Sequence, residues 1–211
     1  MVKRMLYRLV LFVFLGGLAA VGLTSCGTNS FSFGRDSHNK MIVSVRDQKL
    51  LLVRDGTRVK SYKISTSKFG LGDRPGSNCT PLGRLQVEKK IGDNAPMGSV
   101  FKTRRRTGEV IAANSPGRDP IVTRIIWLKG TEPHNQNAFR RMIYIHGTPE
   151  ERRLGCPASF GCIRMASRDV VDLYNRIGHG ADVFVIRGSL ASPKQNSSVA
   201  SNGKTRFHGG S

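Results

Sequence analysis

A histidine and a cysteine stand sixteen positions apart in one short stretch of this chain. His146 lies in Tyr144-Ile145-His146-Gly147-Thr148, and Cys162 lies in Ser159-Phe160-Gly161-Cys162-Ile163-Arg164-Met165. A thiol is a weak nucleophile until it loses its proton, and a nearby imidazole can take that proton. Gly161, directly before the cysteine, permits a tight backbone, so the N–H groups of Gly161 and Cys162 can face a developing oxyanion. Nucleophile, base and donors together point to acyl transfer through a thioester. Cys162 is the candidate nucleophile and His146 the candidate proton donor and acceptor. Ser159 is read as a support of the loop or the substrate. Arg164 is placed to bind a substrate carboxylate through two parallel N–H bonds or to brace the wall of the site.

A competing use of the same side chains is structural zinc, held by His146, Cys156 and Cys162 with His134 or His179. Zinc accepts such ligands, but no Cys-x-x-Cys or His-x-x-x-His pair is present. No metal and no cofactor is therefore expected, and His134 and His179 are read as surface or loop residues. Cys79 and Cys156 remain as a pair that an oxidising compartment would allow to join.

These residues need elements to hold them. Residues 41–45, 50–53, 59–64, 85–87, 121–128, 142–145 and 181–186 carry apolar side chains in strand-like patterns. Asp55-Gly56 marks a hairpin turn, and Thr80-Pro81-Leu82-Gly83 is read as a turn. One helix is predicted after Cys162, with Ser167 as its N-cap, Val170, Val171, Tyr174 and Ile177 on one face, and Gly178 as its stop. The pattern is mainly β with one or two short helices.

The N-terminus speaks of export. Lys3, Arg4 and Arg8 precede an apolar run over residues 9–23 that is short and interrupted by Gly16, Gly17 and Gly22. That is the form of a secretory signal, with a retained signal anchor as the alternative. Leu23-Thr24-Ser25-Cys26-Gly27 resembles a bacterial lipobox, which implies lipidation of Cys26. Residues 1–25 are read as a lipoprotein signal peptide, 26–40 as a polar tether and 188–211 as a disordered basic tail. The expected location is the cell envelope facing the periplasm, lipid-anchored, with the outer membrane favoured.

The formal charge is +20, and removal of the three cations of residues 1–25 leaves +17. An exported protein seldom meets nucleic acid, so none is expected as a partner. An anionic membrane surface or a carboxylate-bearing cell-wall polymer fits that charge better. Lys102, Arg104, Arg105 and Arg106 form the densest basic run, read as a solvated loop. A basic, non-catalytic wall-binding lipoprotein is the second class of function that this composition supports.

His146-Gly147 followed by Ser159-Phe160-Gly161-Cys162-Ile163-Arg164-Met165 is similar to the signature of the L,D-transpeptidases (YkuD-like catalytic domains). Residues 41–45, Asp55-Gly56, Ser65-Thr66-Ser67 and Thr80-Pro81-Leu82-Gly83 resemble further family segments in their usual order, and the resemblance spans residues 41–187. It implies a single-domain β-sandwich of curved mixed sheets with the cysteine at the end of a cleft. It implies action on peptidoglycan stem peptides: cleavage of the L-to-D bond before the terminal D-alanine of a tetrapeptide. The acyl group then passes to a diaminopimelate amine, a lipoprotein lysine or water. It also implies that the carbonyl of Gly147 orients His146. Phe160 stands where the family often has histidine or lysine. The protein is expected to act as a monomer.

Overall fold

Apolar side chains that alternate along a strand turn one face of that strand inward. In this chain nearly every strand does so toward one interior. A computed structural model describes residues 34–191. It contains β1 (Asn39–Ser44), β2 (Lys49–Arg54), β3 (Thr57–Ser65), β4 (Gly83–Ile91), β5 (Ser99–Lys102), β6 (Arg105–Val110), β7 (Ile121–Gly130), β8 (Tyr144–Gly147), β9 (Ile163–Met165), α1 (Ser167–Arg176) and β10 (Asp182–Ile186). Two single 3-10 turns lie at Pro133–Asn135 and Glu151–Arg153.

The strands run β4-β10-β1-β2-β3-β9-β8-β7, and β7 pairs back onto β4 from Leu85↔Gly130 to Ile91↔Ile125. The sheet therefore closes on itself. β1 with β10 and β8 with β9 are its parallel pairs, and the other neighbours are antiparallel. The two curved faces expected of a sandwich are one continuous barrel-like sheet. The hairpin β5–β6 branches from the start of β7 through Val100↔Val122 and Phe101↔Ile121.

Inside the ring sit Met41, Val43, Leu50, Leu52, Ile64, Leu85, Ile126, Leu128, Ile145, Ile163 and Met165, and α1 adds Val170, Leu173 and Tyr174. Burial of each such aliphatic side chain contributes about 1.5–3 kcal/mol. The helix falls where the spacing predicts, but its cap differs. Ser167 is its first residue, not its cap. Ala166 holds the cap position, and the Ser167 N–H is taken by the Glu151 carboxylate at 2.8 Å. A carboxylate from a separate turn thus satisfies the helix start, which a serine side chain would otherwise do.

Several boundaries move. Asp36, inside the expected tether, accepts the N–H groups of Asn39 (3.0 Å) and Gly178 (2.6 Å), and β1 begins at Asn39. The first four residues of the expected tail, 188–191, are fastened: Ser44 Oγ donates to the Gly188 carbonyl at 2.6 Å, and Asp47 accepts from Ser189 Oγ and the Leu190 N–H. The basic run over 102–106 is no loop. It ends β5, turns through Thr103 (φ +48) and Arg104 (φ +65), and starts β6. The signal peptide, Cys26 and residues 192–211 lie outside the described residues.

Candidate active site

β7, β8 and β9 lie side by side, and their register assigns each side chain to a face. Ile126, Ile145 and Ile163 are paired in a row and face the core. Their neighbours Ile125, His146 and Arg164 are paired in the next row and face the opposite way. Cys162 precedes Ile163 and shares this outer face by the same alternation. It enters β9 directly, so a strand, not the predicted helix, receives the cysteine. His146 on β8 is paired with Arg164, and Cys162 stands two residues before Arg164, so the imidazole and the thiol occupy adjacent rows of one face.

His146 is only 6% exposed. Its Nδ1 stands 2.8 Å from the Gly147 carbonyl oxygen. With the Nδ1 proton donated there, Nε2 is the basic nitrogen. Burial pulls the imidazole pKa down to about 4; the Gly147 bond and Asp119 resist, while Arg164 assists. Gly147 must be glycine for another reason. A Cβ there would stand 2.7 Å from the Val122 carbonyl and 3.1 Å from Thr123 Cβ, so its absence lets β7 and β8 close. Thr123 holds φ +73 at the register shift of β7, an uncommon shape for a β-branched residue. It is pinned there by the Gly98 N–H (2.9 Å) and by Ser167 Oγ (2.7 Å).

The Cys162 thiol contacts the Met142 carbonyl at 3.4 Å, and the Tyr144 N–H points at the sulfur. The residue is part-exposed on the cleft floor, but protein surrounds the sulfur closely. Burial therefore pushes the thiol up to about 11, against the opposing pull of the Tyr144 N–H and Arg141. At neutral pH both members of the pair are uncharged at rest. The sulfur opens onto a cleft of 390 Å³ lined by Phe101, Arg104, Arg141, Met142 and Tyr144.

Ser159 organises the loop before the cysteine. Its Oγ donates to the Cys162 carbonyl at 2.5 Å and accepts the Gly161 N–H at 3.2 Å. Gly161 adopts φ +117, a region that disfavours side chains. Its carbonyl accepts from Thr80 Oγ1 at 3.0 Å, so the 78–80 turn clasps the nucleophile loop.

Residues 38–186 match the family model of the YkuD L,D-transpeptidase catalytic domain. The chain belongs to that family. Similar solved structures include L,D-transpeptidase 3 from Mycobacterium tuberculosis (17% identity, 71% of this chain and 61% of that one, TM-score 0.45). Another is an L,D-transpeptidase from Mycobacterium smegmatis (12%, 71% and 58%, TM-score 0.46). A third is the L,D-transpeptidase from Xylanimonas cellulosilytica (19%, 72% and 62%, TM-score 0.45). The matched part of this chain spans about three-fifths of each. Comparison with curated proteins gives no match.

Arg164 of the YkuD domain is 3% exposed, with Nη1 on Asp119 and, at 3.1 Å, on Glu150. Asp119 also accepts from Thr148 Oγ1. Nε and Nη2 of Arg164 are buried and have no hydrogen-bond partner among the described residues. One edge of the guanidinium therefore braces the wall. Arg164→Met is expected to destabilise the domain by about 3 kcal/mol, because two carboxylates lose a buried counter-charge. Chemical denaturation measures this, and an unshifted midpoint would show the ion pairs to be idle.

The sequence reading missed Asp119 and Glu150, and also Arg141. Arg141 bonds the Gly72 and Cys79 carbonyls at 3.0 and 2.7 Å and pairs with Asp73 at 2.9 Å. The zinc ligands do not assemble. Cys156 is exposed beside the Arg153 carbonyl, and no group of three metal-binding side chains occurs among the described residues. Cys79 and Cys156 are both free thiols. Phe160 is 63% exposed, its ring 5.3 Å from that of Phe69.

Proposed function

We propose that this YkuD domain is a peptidoglycan L,D-transpeptidase that works through a thioester on Cys162. The observation that carries the reading is the shared outer face of β8 and β9, which sets His146 opposite Arg164 and one row from Cys162, whose thiol opens onto a cleft. Cys162 Sγ attacks the carbonyl before the terminal D-alanine of a stem tetrapeptide as its proton passes to His146 Nε2. The same proton then goes to the departing D-alanine nitrogen as the C–N bond breaks. An incoming amine, or water, gives its proton to His146 and attacks the thioester, which restores the thiol.

The oxyanion falls to the N–H of Cys162. Gly161 contributes its backbone shape, since its N–H is engaged by Ser159.

The test is to incubate residues 34–191 with disaccharide tetrapeptide and to follow intact mass. The expected result is an acyl adduct on the Cys162 peptide with release of D-alanine. Release without any adduct would sink the thioester. In this reading the domain acts as a monomer in the envelope, anchored through lipidated Cys26 and facing the periplasm. Labelled palmitate should enter the full chain and fail to enter Cys26→Ala. Equal labelling of both would overturn the anchor.

A further inference from the structure

Two cations line the cleft above Cys162, and their charges are not equivalent. Arg141 is matched by Asp73 at 2.9 Å. Arg104 forms no ion pair among the described residues. It is nevertheless held in place by uncharged partners. Its guanidinium carbon lies 5.0 Å from the centre of the Trp127 ring, Nη1 lies 3.2 Å from Met142 Sδ, and the Tyr144 phenol lies close by. Trp127 is itself fixed, stacked on Phe139 at 4.2 Å with its indole N–H on the Phe139 carbonyl at 3.0 Å. An indole face, a thioether and a phenol orient a guanidinium without cancelling its charge.

Among the described residues no acidic side chain lines this cleft. The result is a prepositioned, uncompensated positive charge at the lip of a small space that also holds the sulfur. A peptide whose scissile carbonyl sits on Cys162 carries the α-carboxylate of its departing residue only one residue away.

We propose that Arg104 is a specificity-determining residue that selects acyl donors ending in a free carboxylate. This rests on the thioester reading, and its central test is independent of turnover. Cys162 is alkylated with iodoacetate, which carries a carboxylate, and with iodoacetamide, its neutral counterpart. Both react with the same thiolate, so the thiol pKa cancels from the ratio of rates. Arg104→Met should lower the iodoacetate-to-iodoacetamide ratio about fivefold, the size expected for loss of one unit charge a few ångströms from the reagent. Arg104→Lys, which keeps the charge, should retain most of the ratio. An unchanged ratio in Arg104→Met overturns the proposal.

A second measurement compares a tetrapeptide ending in D-alanine with its terminal amide. The unmodified protein should favour the acid by about tenfold in kcat/KM, and Arg104→Met should lose most of that preference. Preference retained in the variant also overturns the proposal. If neither peptide is turned over, the transpeptidase reading fails, while the alkylation ratio still decides the role of Arg104.

Discussion

Cys162→Ala is expected to abolish the acyl adduct and to lower release of D-alanine by roughly 10⁴-fold or more, the scale on which a nucleophile is lost. A methyl group offers no electron pair to the carbonyl. The fold has little reason to change with it. The thiol's polar contacts are weak, the Met142 carbonyl at 3.4 Å and the Tyr144 N–H, and Gly161 and Ser159 hold the loop without them. The variant should therefore unfold at the same temperature as the parent and still bind tetrapeptide. Mass spectrometry of products, paired with a melting curve, checks both halves. Turnover that persists in a well-folded Cys162→Ala would remove the thioester from the mechanism.

His146→Gln should lower turnover by about 10²–10⁴-fold, the usual range for a lost general base. The pH profile carries more information than the loss itself. An ordinary imidazole protonates near 6.5; His146 is held at about 4 by burial, and the thiol at about 11. The neutral pair therefore persists across the whole neutral range. In the unmodified protein kcat/KM should stay level through pH 6.5 and fall only as pH approaches 4. An acid limb centred at 6.5 would mean that the pair works as a preformed thiolate and imidazolium.

The same shift acts on stability. Between 6.5 and 4 the unfolded chain binds a proton that the folded chain refuses. Stability thus falls as pH drops through that window and levels off below it, and His146→Gln should remove that part of the slope.

The central strands were legible because one face of each is buried. Ile126 with Leu128 and Leu85 with Val87 repeat every second residue. β6 was hidden because it obeys no such rule: all six of its residues are exposed. Hydrogen bonds to β5 define it, and these leave no mark on composition. β9 was hidden for the opposite reason, being three buried residues too short to show a period. The predicted strand over 142–145 starts at Tyr144 instead, since Met142 takes φ +57.

In the site, His146, Ser159, Gly161 and Cys162 lie close enough in the chain to form a pattern. Asp119 does not. It sits in Gly117-Arg118-Asp119-Pro120, 45 positions before Arg164, and meets it only after the chain between them has folded. Arg141 passes unnoticed and Arg104 reads as a solvated charge for the same reason. Their partners Asp73 and Trp127 are distant in sequence, and no spacing rule joins them.

The closed ring has one further consequence. A circular sheet hides its own borders, so among the described strands β6 is the terminal one. An uncovered border of this kind is where foreign chains add themselves and seed insoluble fibres. Here it begins with two consecutive arginines, Arg105 and Arg106, and is interrupted by Gly108. Like charges brought together along that margin repel, and the glycine weakens any ladder that forms. Crowded copies of the protein should therefore stay apart, at least along this rim, and more so in dilute salt.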